Sequence, residues 1–200
     1  MKIELLSHTP SKELLQSLPV SEVPMKNFLT HLSFTFAIEE ISRACSHQLI
    51  RHRVASFSQQ SQRYIQVKRL QEHIVTPPTV TEKAKESFDS FIEEASVTYA
   101  ELVIGGVPRE DARFVLPNAA ETSLLMTMDG GSLMHFFGLR LCSRAQWEVR
   151  TIAEEMLRQV RSVEPSLFEE AGPYCVQLSR CPEGRFSCGK LGEMKKKYLT

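Results

Sequence analysis

The chain has no surplus charge of either sign: 24 Lys and Arg are matched by 24 Asp and Glu across 200 residues. Without a global positive field a nucleic-acid backbone has little to hold it, and phosphate binding can come only from local clusters. An aromatic-rich basic stripe is missing too, so no nucleic-acid partner is expected. There is no run of about eighteen apolar residues, which excludes a membrane-spanning helix. The opening MKIELLSHTP lacks the charged-then-apolar order of a secretory leader. A soluble, cytoplasmic protein with reduced thiols and no membrane partner is the expectation. Cysteines are few, and Cys45, Cys142, Cys175, Cys181 and Cys188 contain no CxxC pair. That spacing argues against a tetrahedral zinc site or a thioredoxin-like motif, so no metal is expected.

What is present suits one compact domain over 1–200, since an apolar share of 42% can build a core at this length. A short strand is expected over 2–7 and a half-buried one over 32–38, where Leu32, Phe34, Phe36 and Ile38 alternate with small or polar residues. The period then changes. Ile41, Cys45 and Leu49, four apart, predict a helix over 41–53 with Gln48, Arg51 and His52 together on another face. A Gln- and Ser-rich loop follows, and Pro77-Pro78 blocks regular structure until Thr81, a plausible N-cap. The next helix should bury Ala84, Phe88, Phe91, Ala95, Tyr99 and Leu102 and end at Gly105-Gly106. A short helix after Pro108, a buried strand over 122–128, a turn at Gly130-Gly131 and a helix over 144–160 complete the body. Residues 170–200 read as a loop-rich tail. Strands and helices do not strictly alternate, so the expected class is α+β, a mixed or antiparallel sheet packed with helices.

Chemistry concentrates in 48–64. Gln48, Arg51, His52, Arg53, Ser56, Ser58, Gln59, Gln60, Ser61, Gln62 and Arg63 offer forked cations, hydroxyls and amides within a few turns of backbone. Guanidinium forks match phosphate oxygens, and Gln amides can read the edge of a pyrimidine. A solvated charged helix end followed by a polar linker fits the same composition.

The segment RHRVASFSQQSQRY resembles the signature of the flavin-dependent thymidylate synthases, RHR followed by seven residues and Ser, with Ser61 at the required position. The likeness extends through HLSFTFAIEEISRACSHQLIRHR, ARFVLP and SLMHFFGLRLCSRAQWEVR. It implies an α+β subunit of a homotetramer whose active sites draw on more than one subunit. The implied reaction methylates dUMP to dTMP, with methylenetetrahydrofolate as carbon donor and NADPH as reductant through FAD. By resemblance, Gln48, Arg51, Gln59, Gln60, Ser61, Gln62, Arg63, Arg113 and Arg140 would bind dUMP. Arg140 would be catalytic, stabilising negative charge on the uracil so that carbon 5 becomes nucleophilic. Asn27, Arg51, His52, Arg53, Gln59, Asp129, Gly130, Gly131 and His135 would contact FAD. Cys45, on the apolar helix face, is expected to be structural rather than a nucleophile.

The chain departs from the family pattern in two places. PMKNFLTH carries Met25, Asn27 and Thr30 where His, Ser and Glu are usual. Asp129-Gly130-Gly131 stands where many members have Asn-Ala-Arg, so a cation is lost. These changes leave open a second reading, a divergent FAD- and nucleotide-binding member with weak or altered catalysis.

Overall fold

The computed structural model describes residues 1–16, 25–64 and 69–199. The first half holds β1 (Lys2–His8), α1 (Ser11–Gln16), a 3-10 segment at Met25–His31, β2 (Ser33–Ser42), α2 (Arg43–Leu49) and β3 (Ser56–Gln59). Next come α3 (Glu82–Ile104), α4 (Arg109–Ala112), β4 (Glu121–Asp129) and α5 (Gly130–Arg140). The chain then runs through α6 (Trp147–Val163), α7 (Pro165–Phe168), α8 (Tyr174–Gln177) and α9 (Leu191–Tyr198). The strands form one antiparallel sheet in the order β1-β2-β4-β3, and the class is α+β.

Two compact units divide the chain. One is built on Glu39–His47 and Ser58–Leu124, with Met1. Its core joins Ala95 of α3 to Leu70 and Ala120, with Ile74 and Leu116 packed against them. Two backbone bonds, Arg43 N to Ala120 O (3.0 Å) and Ala44 N to Asn118 O (3.1 Å), fix the start of α2 against the approach to β4.

The other unit comprises Lys2–Ile38, Gln48–Phe57 and Leu125–Thr200. Its centre is a chain of edge-on rings: Phe34 to Phe168 at 5.4 Å, Phe168 to Phe137 at 6.1 Å, Phe137 to Phe136 at 6.0 Å. Such pairs add directional attraction to the burial of large apolar surface. Against them α6 lays Val149, Ile152, Met156 and Val160, all fully buried as their spacing predicts. Glu164 is buried at the end of α6, and its carboxylate accepts from Ser11 N at 2.7 Å and Ser11 Oγ at 2.5 Å.

Several elements differ from the sequence expectation. Ile41 and Ser42 remain in β2, and the predicted helix over 41–53 is confined to α2. Tight turns, closed by His52 N to Leu49 O and Ala55 N to His52 O, replace the helical ladder, so Arg51 and His52 lie beyond the helix. Part of the expected Gln- and Ser-rich loop is β3, an edge strand continued by Gln60 N to Ser123 O at 2.9 Å. In α3 the buried face is Ile92, Ala95 and Tyr99, while Ala84 and Phe91 are exposed. The expected loop-rich tail holds α8 and α9. Arg161 orders it by donating to the carbonyls of Phe168, Glu169, Ala171 and Tyr198 at 2.7 to 3.0 Å.

The most consequential difference is at Gly130-Gly131, which begins α5 rather than forming a separate turn. Asp129 is the N-cap, accepting from Ser132 N at 2.9 Å and Ser132 Oγ at 2.6 Å. Gly130 N donates to Leu32 O at 2.8 Å, and a Cβ on Gly130 would lie 2.8 Å from the Leu29 carbonyl oxygen. Only glycine lets the two backbones approach so closely. We predict that Gly130→Ala destabilises the protein by about 1–3 kcal/mol through this overpacking. Asp129→Ala should cost about 1 kcal/mol, and Asp129→Asn far less because it still caps. Urea midpoints measure both, and a Gly130→Ala midpoint equal to that of the parent would contradict the close-approach account.

Candidate active site

In the unit that holds α2, Arg43, His47, Gln62, Arg113, Leu116 and Asn118 help line an open pocket of about 290 Å³. Arg43 and His47 stand one turn apart, Nη2 to Nε2 at 3.5 Å. Burial holds the Arg43 guanidinium below its ordinary pKa, and the charge of Arg113 adds to the effect. Two guanidiniums that repel in a half-buried pocket make a place where an anion is stabilised by both. Of the residues expected from the sequence, Gln62 and Arg113 are here. Arg43, His47 and Asn118 were not foreseen, although the four-residue spacing of Arg43 and His47 on a helix put them on one face.

Neighbouring residues of the signature have other partners. Arg63 pairs with Glu110, Nε to Oε2 at 2.9 Å and Nη2 to Oε2 at 2.6 Å, which raises the guanidinium pKa. Its backbone N–H reaches Ser61 Oγ at 3.3 Å. Gln59 donates its amide to Ser46 Oγ (2.9 Å) and Thr122 Oγ1 (3.3 Å), so this side chain ties β3 to α2 and β4. Gln60 is exposed.

The second unit gathers a different set. Arg140, the last residue of α5, donates from Nε to His52 Nε2 at 2.8 Å. An imidazole nitrogen that accepts carries no proton, so the ring hydrogen sits on Nδ1. Burial, then the charges of Arg140 and His135, push the His52 pKa down to about 4. The ring is neutral at physiological pH. It meets Phe136 edge-on at 4.9 Å and His135 edge-on at 6.4 Å. His135 Nδ1 lies 2.5 Å from the Tyr174 hydroxyl. The Tyr174 ring packs on Gly138 so closely that a Cβ there would meet it at 2.8 Å. In the same unit Arg51 and Arg53 are exposed on the turn that carries His52, and Gln48 is half-buried. Cys45, in the α2 unit, is fully buried, as a structural thiol requires.

The two departures from the family pattern meet in space. A Cβ on Gly131 would lie 3.1 Å from Thr30 Cγ2 and 3.1 Å from Asp129 Oδ1. Gly131 therefore lies against Thr30, so the two stretches that depart from the resemblance are neighbours. Asp129 adds no unpartnered acid, since Ser132 engages both carboxylate oxygens. Asn27 is exposed, while Pro24 and the side chain of Met25 lie outside the described residues.

The low His52 pKa carries a pH signature. Between its unfolded value near 6.5 and its folded value near 4, the unfolded chain binds a proton that the native one does not. This contribution to stability is full above pH 6.5 and declines as pH falls toward 4. We expect the denaturation midpoint to drop over that window and the drop to shrink in His52→Gln, which keeps an acceptor without titrating. An NMR titration placing the His52 ring at its ordinary pKa would contradict the arrangement.

The family model described as "Thymidylate synthase complementing protein" matches residues 10–166. A flavin-dependent thymidylate synthase of Geobacter sulfurreducens is 46% identical over 99% of this chain and 98% of its own length. One from Clostridium tetani is 45% identical over 86% of this chain and 75% of its own. Among solved structures, thymidylate synthase X of Helicobacter pylori, crystallised with FAD and dUMP, superposes with a TM-score of 0.69 at 21% identity, covering 86% of this chain and 99% of that one. A UMP/dUMP methylase of Streptomyces cacaoi bound with 5-Br UMP reaches the same TM-score at 22% identity, over 84% of this chain and 92% of that one. A family model over residues 10–166 and two relatives at 45% and 46% identity decide the assignment: the chain belongs to the thymidylate synthase complementing protein family, alongside the flavin-dependent thymidylate synthases.

Proposed function

We propose that this protein is a flavin-dependent thymidylate synthase acting in the cytoplasm, methylating dUMP to dTMP with methylenetetrahydrofolate as carbon donor and NADPH as reductant through FAD. The observation that carries the reading furthest is the Arg140–His52 pair. It provides a fixed cation beside a neutral imidazole, in a family whose relatives are named for this reaction.

Uracil is a poor carbon nucleophile until negative charge on its nitrogen 3 and carbonyl system is stabilised. Arg140, held by His52 and backed by the rings of α5, supplies a preorganised positive charge for that step without reorganising at the moment of reaction. A protonated His52 would compete with the same negative charge and repel Arg140, so its low pKa keeps the cation single and in place. We assign the nucleotide's phosphate to Arg43 and Arg113, whose mutual repulsion an anion relieves, and hydrogen bonding nearby to Gln62. Gln48, Arg51, Gln60 and Ser61 remain in the proposed dUMP set, and Arg63 would join it by exchanging Glu110 for the ligand.

The polar groups around α5 suit a flavin. Arg51 and Arg53 present cations, and His135 and Tyr174 present hydrogen-bonding groups on an aromatic floor. FAD, when bound, supplies the reducing equivalents that turn the transferred one-carbon unit into a methyl group. Asp129, Gly130 and Gly131 would serve it by shaping the start of α5. Exposed Phe91, Val97, Ile104 and Phe114 on the α2-containing unit suit burial between subunits, in accord with a homotetramer that shares its active sites.

Release of tritium from carbon 5 of labelled dUMP, with dTMP formed only when NADPH and methylenetetrahydrofolate are both present, is the expected result. Absence of both products from FAD-loaded protein would refute the reading. Arg140→Lys should lose about a hundredfold in turnover because the planar fork is gone, and near-normal turnover would remove Arg140 from its role. Arg43→Met should instead raise KM for dUMP by at least about tenfold with little change in kcat, the cost of one charge-assisted contact.

A further inference from the structure

Cys142, Cys175, Cys181 and Cys188 come from three places in the chain: the end of α5, α8, and the segment leading to α9. All four line one cavity of about 270 Å³. Each is free and partly buried, and the Cys175 thiol lies near enough to the other three to feel a charge on each. Ser143 Oγ donates to Cys188 Sγ at 3.2 Å.

The segment between α8 and α9 supplies an independent observation. Over residues 178–190 every residue is exposed except Cys181 and Cys188. Its regular structure is a single 3-10 turn at Gly184–Phe186, and Ser179, Gly184 and Gly189 take positive φ. No buried apolar side chain anchors this stretch, and its two thiols are its least exposed residues. A loop held in this way is characteristic of small metal-organised modules, whose ordering energy comes from the bound centre rather than from a core.

The size of the cavity selects the type of centre. A single zinc ion needs its sulfurs within about 2.3 Å of one point, with no void between them. Among the described residues no three of His, Cys, Asp or Glu converge closely enough to hold one metal ion. Four thiols spaced around an open cavity leave room instead for a polynuclear core. Cys181 is followed by Pro182, the Cys-Pro step seen in cluster-binding runs. Arg140 and Arg144 line the same cavity and supply positive charge beside a centre that four thiolates make net negative, while Phe186, Leu191 and Met194 provide apolar walls.

The geometry points to Cys142, Cys175, Cys181 and Cys188 as the ligands of a cubane iron–sulfur cluster that orders the segment between α8 and α9. Loading draws ferrous iron, ferric iron and sulfide from solution, and each thiol gives its proton to solvent on binding. This centre adjoins the proposed dUMP chemistry through Arg140, and its presence is read without any measurement of dTMP.

Protein purified without air, or reconstituted anaerobically with ferrous and ferric iron and sulfide, should contain about four irons and about four acid-labile sulfides per chain, with a cubane Mössbauer spectrum. Cys188→Ser should lose most of that iron and expose residues 178–190 to protease, while Cys45→Ala, outside the cavity, keeps it. Iron-free protein after reconstitution, zinc at one per chain, disulfides among the four thiols in anaerobic protein, or a Cys188→Ser variant with full iron would each overturn the proposal. The analysis of the parent protein decides the matter even where a variant fails to fold.

Discussion

The backbone contact between Gly130 and Leu29 sets the position of α5, and α5 in turn carries the chemistry of its unit. With no side chain on Gly130, its N–H reaches the Leu32 carbonyl, and Asp129 closes the first turn through Ser132. From that fixed start the helical repeat sends Leu133, Phe136 and Phe137 into the ring-lined core. His135, Gly138 and Arg140 are delivered to Tyr174 and His52. Side chains that must act on a ligand are best mounted on an element whose own position is over-determined, and α5 meets that condition at both ends.

The two units handle positive charge in opposite ways. Around α5, Arg140 donates to a histidine that burial keeps neutral, so His52 orients the cation without adding a second charge. Around α2, burial and then the charge of Arg113 weigh on the Arg43 guanidinium, and His47 is a weak third partner at 3.5 Å. The first arrangement positions a cation through a neutral ring; the second brings two cations together and is improved by an anion. On this difference rests our proposal that Arg140 acts on the uracil while Arg43 and Arg113 hold the phosphate.

Much of this was legible in the residues, and the failures have identifiable causes. Ile41, Cys45 and Leu49 are all fully buried as their spacing required, yet Ile41 belongs to a strand, because a period of four does not reveal where a strand hands over to a helix. In α3 the periods of three and four fit two adjacent stripes. The neighbouring core of Leu70 and Ala120 takes Ala95 of α3, Ile92 and Tyr99 are buried with it, and no local pattern carries that information. The Gly130-Gly131 pair suggested a turn because glycine is usually read as backbone freedom, whereas here it permits close approach. The resemblance pointed to Gln62 and His52 in the signature and to Arg140 in a later motif, but Arg43 and His47 precede the signature and acquire meaning only when Arg113 folds beside them. The thiols were likewise unreadable as a group, since Cys142 is distant in sequence from the other three.

FAD and dUMP acting together on this scaffold is the central claim, and flavin fluorescence tests it most directly. The account predicts that the protein takes up FAD with its fluorescence changed, and that adding dUMP changes the signal again, saturably and far more strongly than deoxyuridine, which lacks the phosphate. Protein that takes up no FAD on reconstitution, or whose bound flavin responds equally to dUMP and deoxyuridine, would contradict it.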